Sequence, residues 1–144
     1  MAELLNTKTA ISVVRTLRTW LNTSTELPSG MAFSFEDLAE DASGLAFSTE
    51  QAAVYAARYI GGGYLGEYRF RLIYRVQPSD DGDMLDAVEA LTDICAWCET
   101  AAPPTLDGAV NTKIRRTSDV AVVAVYEDGS TDYSASLTFT WEVF

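Results

Sequence analysis

The chain has 144 residues, 48% of them hydrophobic and 11% aromatic, which predicts one globular domain with a sizeable core. It carries 21 acidic and 10 basic side chains, a net charge of −11, two cysteines and no histidine. These counts exclude Ser-His-Asp triads and histidine metal ligands, and argue against tight binding to nucleic acids or anionic membranes. No apolar run approaches the roughly 20 residues that span a bilayer, and Met1 to Leu5 does not read as a secretory signal. We therefore expect a soluble protein of the cytosol, or one assembled there.

The first third of the chain predicts one helix and two extended segments. Apolar residues recur at steps of three and four over residues 7–22, which is typical of an amphipathic helix. This stripe consists of Ala10, Ile11, Val14, Leu17 and Leu21. Phe33 and Phe35 alternate with small or polar residues, which predicts a short extended piece before an acidic surface loop. Residues 44–48 predict a strand that enters a sheet.

A run of three glycines separates two predicted strands in the middle of the chain. Residues 52–60 mix alanines, which favour helix, with β-branched and aromatic residues, which favour strand. Gly61-Gly62-Gly63 supplies residues that tolerate the positive φ of a tight reversal, so we predict an antiparallel strand before it. From Tyr68 to Gln77 apolar and polar residues alternate, which predicts a half-buried strand.

A second helix and a β-rich last third complete the predicted elements. Residues 84–100 carry an apolar stripe, and Pro103-Pro104 ends the helix. Residues 110–117 alternate weakly, whereas residues 120–126 are apolar on both faces and predict a central, covered strand. A hairpin turn at residues 127–130 precedes a clean alternation that runs to the end of the chain.

These elements predict a single α+β domain over residues 1–144: a mostly antiparallel, twisted sheet with two helices packed on one face and a long β-hairpin. The predicted strands are long for so small a domain. Residues 68–77 span about 33 Å and residues 132–144 about 43 Å, against a radius of gyration of about 14–15 Å. Such strands either curl strongly or project beyond the core. Projecting strands leave unpaired edges that invite pairing with a neighbouring subunit.

One motif suggests chemistry, Cys95-Ala96-Trp97-Cys98. A redox pair needs its reactive thiol at a helix N-terminus, but this pair closes a helix. A zinc site needs four ligands, and the chain has no second cysteine pair and no histidine. We therefore predict that the two thiols are small apolar residues on the buried face of the helix.

Two other patterns resemble ligand sites only superficially. The three glycines precede neither a phosphate-binding motif nor a helix start. An acidic cluster lacks EF-hand spacing, and turn and helix-cap roles explain it: Asp80, Asp81, Asp83 and Asp86. We thus expect no catalytic, cofactor-binding or metal-binding residues in this chain.

Two basic groups stand out in this acidic chain. Arg69, Arg71 and Arg75 share one face of a predicted strand, and a second group follows later in the sequence. The second group consists of Lys113, Arg115 and Arg116. Both could form salt bridges with an acidic neighbour, including another copy of the chain. The alternative is a solvated strand face with ion pairs inside the chain.

A resemblance to a known family rests mainly on the glycine turn and the strands around it. Its most specific part is Tyr59-Ile60-Gly61-Gly62-Gly63-Tyr64, followed by Tyr68-Arg69-Phe70 and Tyr74-Arg75-Val76. Val13-Val14-Arg15, Trp20-Leu21-Asn22 and the aromatic C-terminal strand are also similar. In these features the chain resembles the tail-terminator and minor-capsid proteins of long-tailed phages. It departs from them at Gly61, where an aspartate is expected, and this leaves the turn type open.

The resemblance implies a structural role in the virion, at the head–tail junction. Such proteins form a hexameric ring that caps the tail tube, stops its polymerisation and supplies the surface that joins the head. The implied partners are other copies of the chain, the tail-tube protein and head–tail connector proteins, while DNA passes through without specific binding. On this reading the contacts between subunits are made by Ile60, Gly61, Gly62, Gly63, Tyr64, Arg69, Arg71, Arg75, Arg115 and Arg116.

Three alternatives remain open from the sequence. The chain could be another ring protein of the head–tail connector. It could instead be a small cytosolic adaptor that pairs an edge strand with a partner peptide. An enzyme that uses two carboxylates is the third alternative, although nothing in the sequence singles out such a pair.

Overall fold

The computed structural model describes residues 2–28, 30–36, 43–77, 84–127 and 129–144, with side chains described outside residues 2–11, 51–56 and 84–85. Within these residues, two helices and six strands form an α+β fold, as the sequence predicts. In chain order they are α1 (Ala2–Leu21), β1 (Phe33–Phe35), β2 (Gly44–Arg58), β3 (Tyr64–Val76), α2 (Met84–Thr100), β4 (Val110–Arg116), β5 (Ala121–Val125) and β6 (Thr131–Val143).

All six strands belong to one sheet, with the order β1-β2-β3-β6-β4 and with β5 paired to β6. Among the described strand pairs, only β1 and β2 are parallel, and the others are antiparallel. β3 and β6 pair over their whole length without a register shift, from Tyr64 opposite Val143 to Val76 opposite Thr131. Thirteen paired residues span about 43 Å, so this pair forms the long axis of the sheet.

Both helices pack on one face of the sheet, and the hydrophobic core lies between the helices and this face. Alternate residues of β3 and β6 face the helices, among them the fully buried Phe70, Leu72, Leu137 and Phe139. The helices meet these residues with apolar side chains one turn apart. They are Val13, Leu17 and Leu21 on α1, and Leu91, Ile94, Cys95 and Cys98 on α2.

Most predicted elements are confirmed. The helix predicted over residues 7–22 is α1, although its predicted stripe members Ala10 and Ile11 lie outside the described side chains. The two short strands predicted at 44–48 and 52–60 are parts of the single strand β2, which ends at Arg58, so residues 59–60 belong to the turn after it. The predicted acidic residues at 80–83 lie outside the described residues.

The prediction of a central strand at residues 120–126 is wrong. β5 pairs only with β6, and within the described part of the chain no strand lies on its other side. Val122, Val123 and Val125 are accordingly 47%, 52% and 66% exposed. Apolar residues on both faces usually indicate a covered strand, but here they occupy an uncovered edge.

In the part of the chain that the structure describes, neither α1 nor α2 has the length and apolar character needed to cross a membrane.

Candidate assembly surface

A tight, hydrogen-bonded turn joins β2 and β3, and we call this turn the hairpin tip (Tyr59–Gly63). The amide of Tyr59 donates to the carbonyl of Gly63 at 2.8 Å, and the amide of Gly62 donates back to the carbonyl of Tyr59 at 3.1 Å. Gly62 has a φ of +102°, a conformation that other residues rarely adopt. The sequence prediction of a glycine turn at this position is therefore confirmed.

The hairpin tip is fixed against the C-terminal end of β6. The hydroxyl of Tyr59 donates to Oε2 of Glu142 at 2.6 Å, and its ring stacks on Phe144 with centroids 5.6 Å apart. This hydrogen bond raises the pKa of Tyr59 and lowers the pKa of Glu142. The amide of Asn111 also donates to the Glu142 carboxylate, at 2.9 Å, and lowers its pKa further. Side chains from three strand ends thus hold the tip in one orientation.

The hairpin tip carries exposed apolar surface. Ile60 is fully exposed, and Phe144 beside the tip is 79% exposed. Tyr64, which the sequence also placed at the interface, is 1% exposed, so its side chain belongs to the core instead. The exposed part of the predicted interface segment is therefore Ile60 together with the glycines Gly61 and Gly62.

The arginines of β3 lie on the outer face of the sheet, opposite the helices, and they have partners within the chain. Arg69 forms an ion pair with Glu67, and Nε of Arg71 lies 3.3 Å from Oε1 of Glu50. Both arginine side chains remain about half exposed, at 53% and 43%. Ion pairs this exposed contribute little to stability and leave the cations accessible to a further partner.

Arg75 is held much more firmly than its two neighbours. Its guanidinium donates two hydrogen bonds to Asp132, at 2.8 and 3.0 Å, and lies 4.9 Å from the centre of the Tyr126 ring. The Tyr126 hydroxyl donates to the same carboxylate at 2.7 Å, which raises the pKa of Tyr126. Asp132 also raises the pKa of Arg75. The two charged side chains are only 15% and 8% exposed, so this cluster joins β3, β6 and the end of β5 within one chain.

The structure divides the second basic group between the two faces of the sheet. Arg116 points toward α2, where its Nε lies 3.4 Å from Glu99. Arg115 shares the outer face with Arg69, because both pair across the sheet with Thr138 of β6. Arg115 is exposed and forms no ion pair with any described residue. Among the predicted basic interface residues, Arg115 is therefore the one whose charge is left for a partner, because it has no ion pair with a described residue.

The two cysteines lie in the core, as the sequence predicts. Cys95 and Cys98 are free thiols, 0% and 2% exposed, on the face of α2 that packs on the sheet. Burial raises the pKa of Cys95 to about 11 and that of Cys98 further. Among the described residues no group of His, Cys, Asp or Glu side chains could hold a metal ion. The thiols are thus protonated packing residues at neutral pH.

Sequence reasoning missed a pocket of about 290 Å³ between α1, the loop after α2 and one end of the sheet. Arg15 and Asp107 stand at its polar wall, and Trp141 forms part of its apolar wall. The indole lies directly over Gly66 of β3, where an added Cβ would come within 2.1 Å of the ring. Because these walls come from three distant segments of the chain, no local pattern could reveal the pocket.

Comparisons with known proteins add the fold but no function. No family model matches the chain, and no curated protein matches its sequence. One solved structure, whose title states no function, is similar to it with a TM-score of 0.50 at 12% identity, and the match covers 94% of each chain. At this identity the likeness concerns the fold alone.

Proposed function

We propose that this chain is a structural, non-enzymatic virion protein of a long-tailed phage. It sits at the head–tail junction as a tail terminator, where a ring of copies, six by the resemblance, caps the tail tube. The ring stops tube polymerisation and provides the surface that joins the head. The observation that carries the proposal is the hairpin tip, which presents the fully exposed Ile60 next to the exposed Phe144.

An exposed tip of this kind suits the contact that a ring needs. A ring closes when one patch of each subunit meets a different patch of the next, so a projecting apolar residue needs a receiving surface elsewhere on the neighbour. The hydrogen bond and ring stacking of Tyr59 fix the tip before any neighbour binds. Such preorganisation lowers the entropy cost of association.

The outer face of the sheet gives a second reason for the proposal. Arg69 and Arg71 are half exposed and Arg115 has no ion-pair partner among the described residues, in a chain with a net charge of −11. These three exposed cations can attract an acidic surface of the next copy. The remaining acidic surface would line the channel and repel DNA phosphates, so that DNA passes without being held. A channel lined mostly by arginine and lysine would contradict this last point.

The decisive experiment examines virion assembly without the protein. Phage particles made without it should show over-long or headless tails, and adding the purified protein to tail tubes should produce rings at their ends in negative-stain images. The proposal would be refuted if the purified protein formed no rings and did not bind tail tubes.

Two variants separate the contact surfaces from the fold. Ile60→Lys removes the apolar tip at a fully exposed residue, so ring formation and tube binding should fall while thermal stability stays unchanged. Arg71→Glu should weaken ring formation more than folding, because its ion pair with Glu50 is an exposed one. Equal losses of ring formation and stability would show that Arg71 serves the monomer.

A further inference from the structure

The side of the sheet formed by β4 and β5 is one long edge with no neighbouring strand in the described part of the chain, and we call it the lateral edge (residues 110–127). At one point the edge meets a side chain, because the amide of Arg116 donates to Glu99 of α2 at 3.5 Å. β4 and β5 lie end to end along β6, and residues 117 and 118 continue the pairing between them. The amide of Thr117 donates to the carbonyl of Ser136 at 2.8 Å, and the amide of Ser136 donates to Oγ of Ser118 at 2.9 Å. The lateral edge therefore follows β6 along nearly its whole length. No described strand lies outside it.

The lateral edge concentrates the exposed apolar surface of the molecule. Seven large hydrophobic side chains are exposed in the described part of the chain, and five of them belong to this edge. The five are Val110, Val122, Val123, Val125 and Tyr126. Single exposed apolar residues are ordinary, but an apolar, unpaired strand edge is a template for pairing with another strand.

Opposite charges occupy the two halves of the lateral edge. The half formed by β4 and Thr117 has three cations and no carboxylate, and the half from Ser118 onward has two carboxylates and no cation. The cations are Lys113, Arg115 and Arg116, of which Arg116 is paired with Glu99 of α2, and the carboxylates are Asp119 and Glu127. An edge with this pattern is complementary to an antiparallel copy of itself. A parallel copy would set like charges against each other.

We propose that a second copy of this chain covers the lateral edge in a two-fold, antiparallel dimer. In this dimer β4 of each copy pairs with β5 of the other, and the two sheets become one continuous sheet. The exposed valines of β5 are then covered by the partner strand, and Arg115 lies near Asp119 of the partner subunit. Ser118 stands at the middle of the edge, close to the two-fold axis.

This dimer goes beyond the proposed ring and does not depend on it. A two-fold contact uses the same patch on both copies and closes after two, so it cannot by itself build a ring. It describes how the free protein protects an edge that would otherwise promote aggregation. The dimer covers Arg115, which the proposed ring also uses, so a subunit leaves the dimer when it enters the ring. The hairpin tip, with its exposed Ile60, lies outside the lateral edge.

The symmetry makes a sharp cross-linking test possible. A cysteine in place of Ser118, or of the neighbouring Thr117, should be joined to its counterpart by a short bismaleimide in nearly every dimer. The native thiols of Cys95 and Cys98 are buried, so the unmodified protein should give no cross-linked product. Asp93→Cys, on the exposed face of α2, is the matched control and should also give none. Cross-linking at Asp93→Cys equal to that at Ser118→Cys would overturn the proposal.

Sedimentation velocity supplies the second test. The unmodified protein should sediment as a dimer, and Val123→Lys, which places a charge on the exposed edge, should sediment as a monomer. Arg115→Glu should weaken the dimer at least tenfold, and the double variant Arg115→Glu/Asp119→Arg should recover most of that loss. A monomeric unmodified protein, or a protein that binds only a foreign peptide at this edge, would overturn the proposal. The proposal would also be overturned if the double variant Arg115→Glu/Asp119→Arg dimerised no better than Arg115→Glu alone.

Discussion

The contact between Gly66 and Trp141 gives the most direct test of the packing at the pocket end of the sheet. An alanine Cβ at position 66 would lie 2.1, 2.4 and 2.5 Å from Cε2, Cζ2 and Nε1 of the indole, distances that real structures do not show. Gly66→Ala must therefore either displace the backbone of β3 or expel the ring. We expect this variant to be clearly less stable than the unmodified protein.

The size of the loss follows from the cheaper of these two responses. Local overpacking in a core costs about 1–3 kcal/mol. Expelling Trp141, which is 2% exposed, would forfeit the burial of about 150–250 Å² and so about 4–6 kcal/mol. We expect a loss of about 2–3 kcal/mol, a large share of the 5–15 kcal/mol typical of a domain. With a urea dependence of about 2 kcal/mol per molar, the unfolding midpoint should fall by about 1–1.5 M.

The assay is urea unfolding followed by circular dichroism, with Gly61→Ala as the matched control. Gly61 has open space around its Cβ position and no positive φ, so its replacement should change stability by less than about 1 kcal/mol. In a Trp141→Phe background, Gly66→Ala should cost much less, because the smaller ring leaves room for the methyl group. Equal midpoints for Gly66→Ala and Gly61→Ala would refute this account of the packing.

Three further predictions concern charges and thiols. Arg75→Gln should destabilise the protein by about 3 kcal/mol in urea unfolding because it leaves the buried carboxylate of Asp132 without a cation, whereas the same change at the exposed Arg69 should cost under about 1 kcal/mol. Tyr59→Phe should lower thermal stability at pH 7, and this difference should shrink as the pH falls through the lowered pKa of Glu142, below its usual value of 4.5, since protonation removes the charged acceptor. The two thiols of α2 should resist iodoacetamide at pH 8 in the folded protein and react in urea, as measured by mass spectrometry, since burial raises their pKa. Alkylation at equal rates in both states would contradict their burial.

The strands that border the core on one face were predictable from the sequence. In β3, Phe70 and Leu72 are buried, whereas the side chains of Arg69 and Arg71 on either side of Phe70 are 53% and 43% exposed. The period of two therefore shows directly which face the helices cover. Pairing with β6 over thirteen residues preserves that alternation without a bulge. The alternation in β3 reveals its buried face because the helices cover one face of the strand and leave the other exposed.

β5 was mispredicted because an edge strand and a central strand can have the same local sequence. β5 forms a strand because it pairs with β6 on one side, where Val122 is opposite Tyr133. The number of neighbouring strands depends on the topology of the whole sheet, and the sequence of residues 120–126 does not contain it. The apolar character that suggested coverage within the chain instead marks a surface that another strand can cover.

The partners of the outer arginines were also beyond sequence reasoning. The row of cations in β3 is visible as an alternation, but Asp132 lies 57 residues from Arg75 and Glu50 lies 21 residues from Arg71. Only the register of β3 with β6 and β2 brings these groups together. The difference in burial then decides their roles. The pair of Arg75 with Asp132 is a structural one, whereas Arg71 remains accessible.

The hairpin tip and the lateral edge divide the exposed apolar surface into two independent sites, and this allows the two proposals to be judged separately. Ile60→Lys alters only the tip and should leave the two-fold dimer intact while it impairs ring formation. Val123→Lys alters only the edge and should abolish the dimer while tube capping persists. If both variants lost both properties, a single interface would account for all association. In that case the chain would not need two separate surfaces, one that forms the two-fold dimer and one that forms the ring.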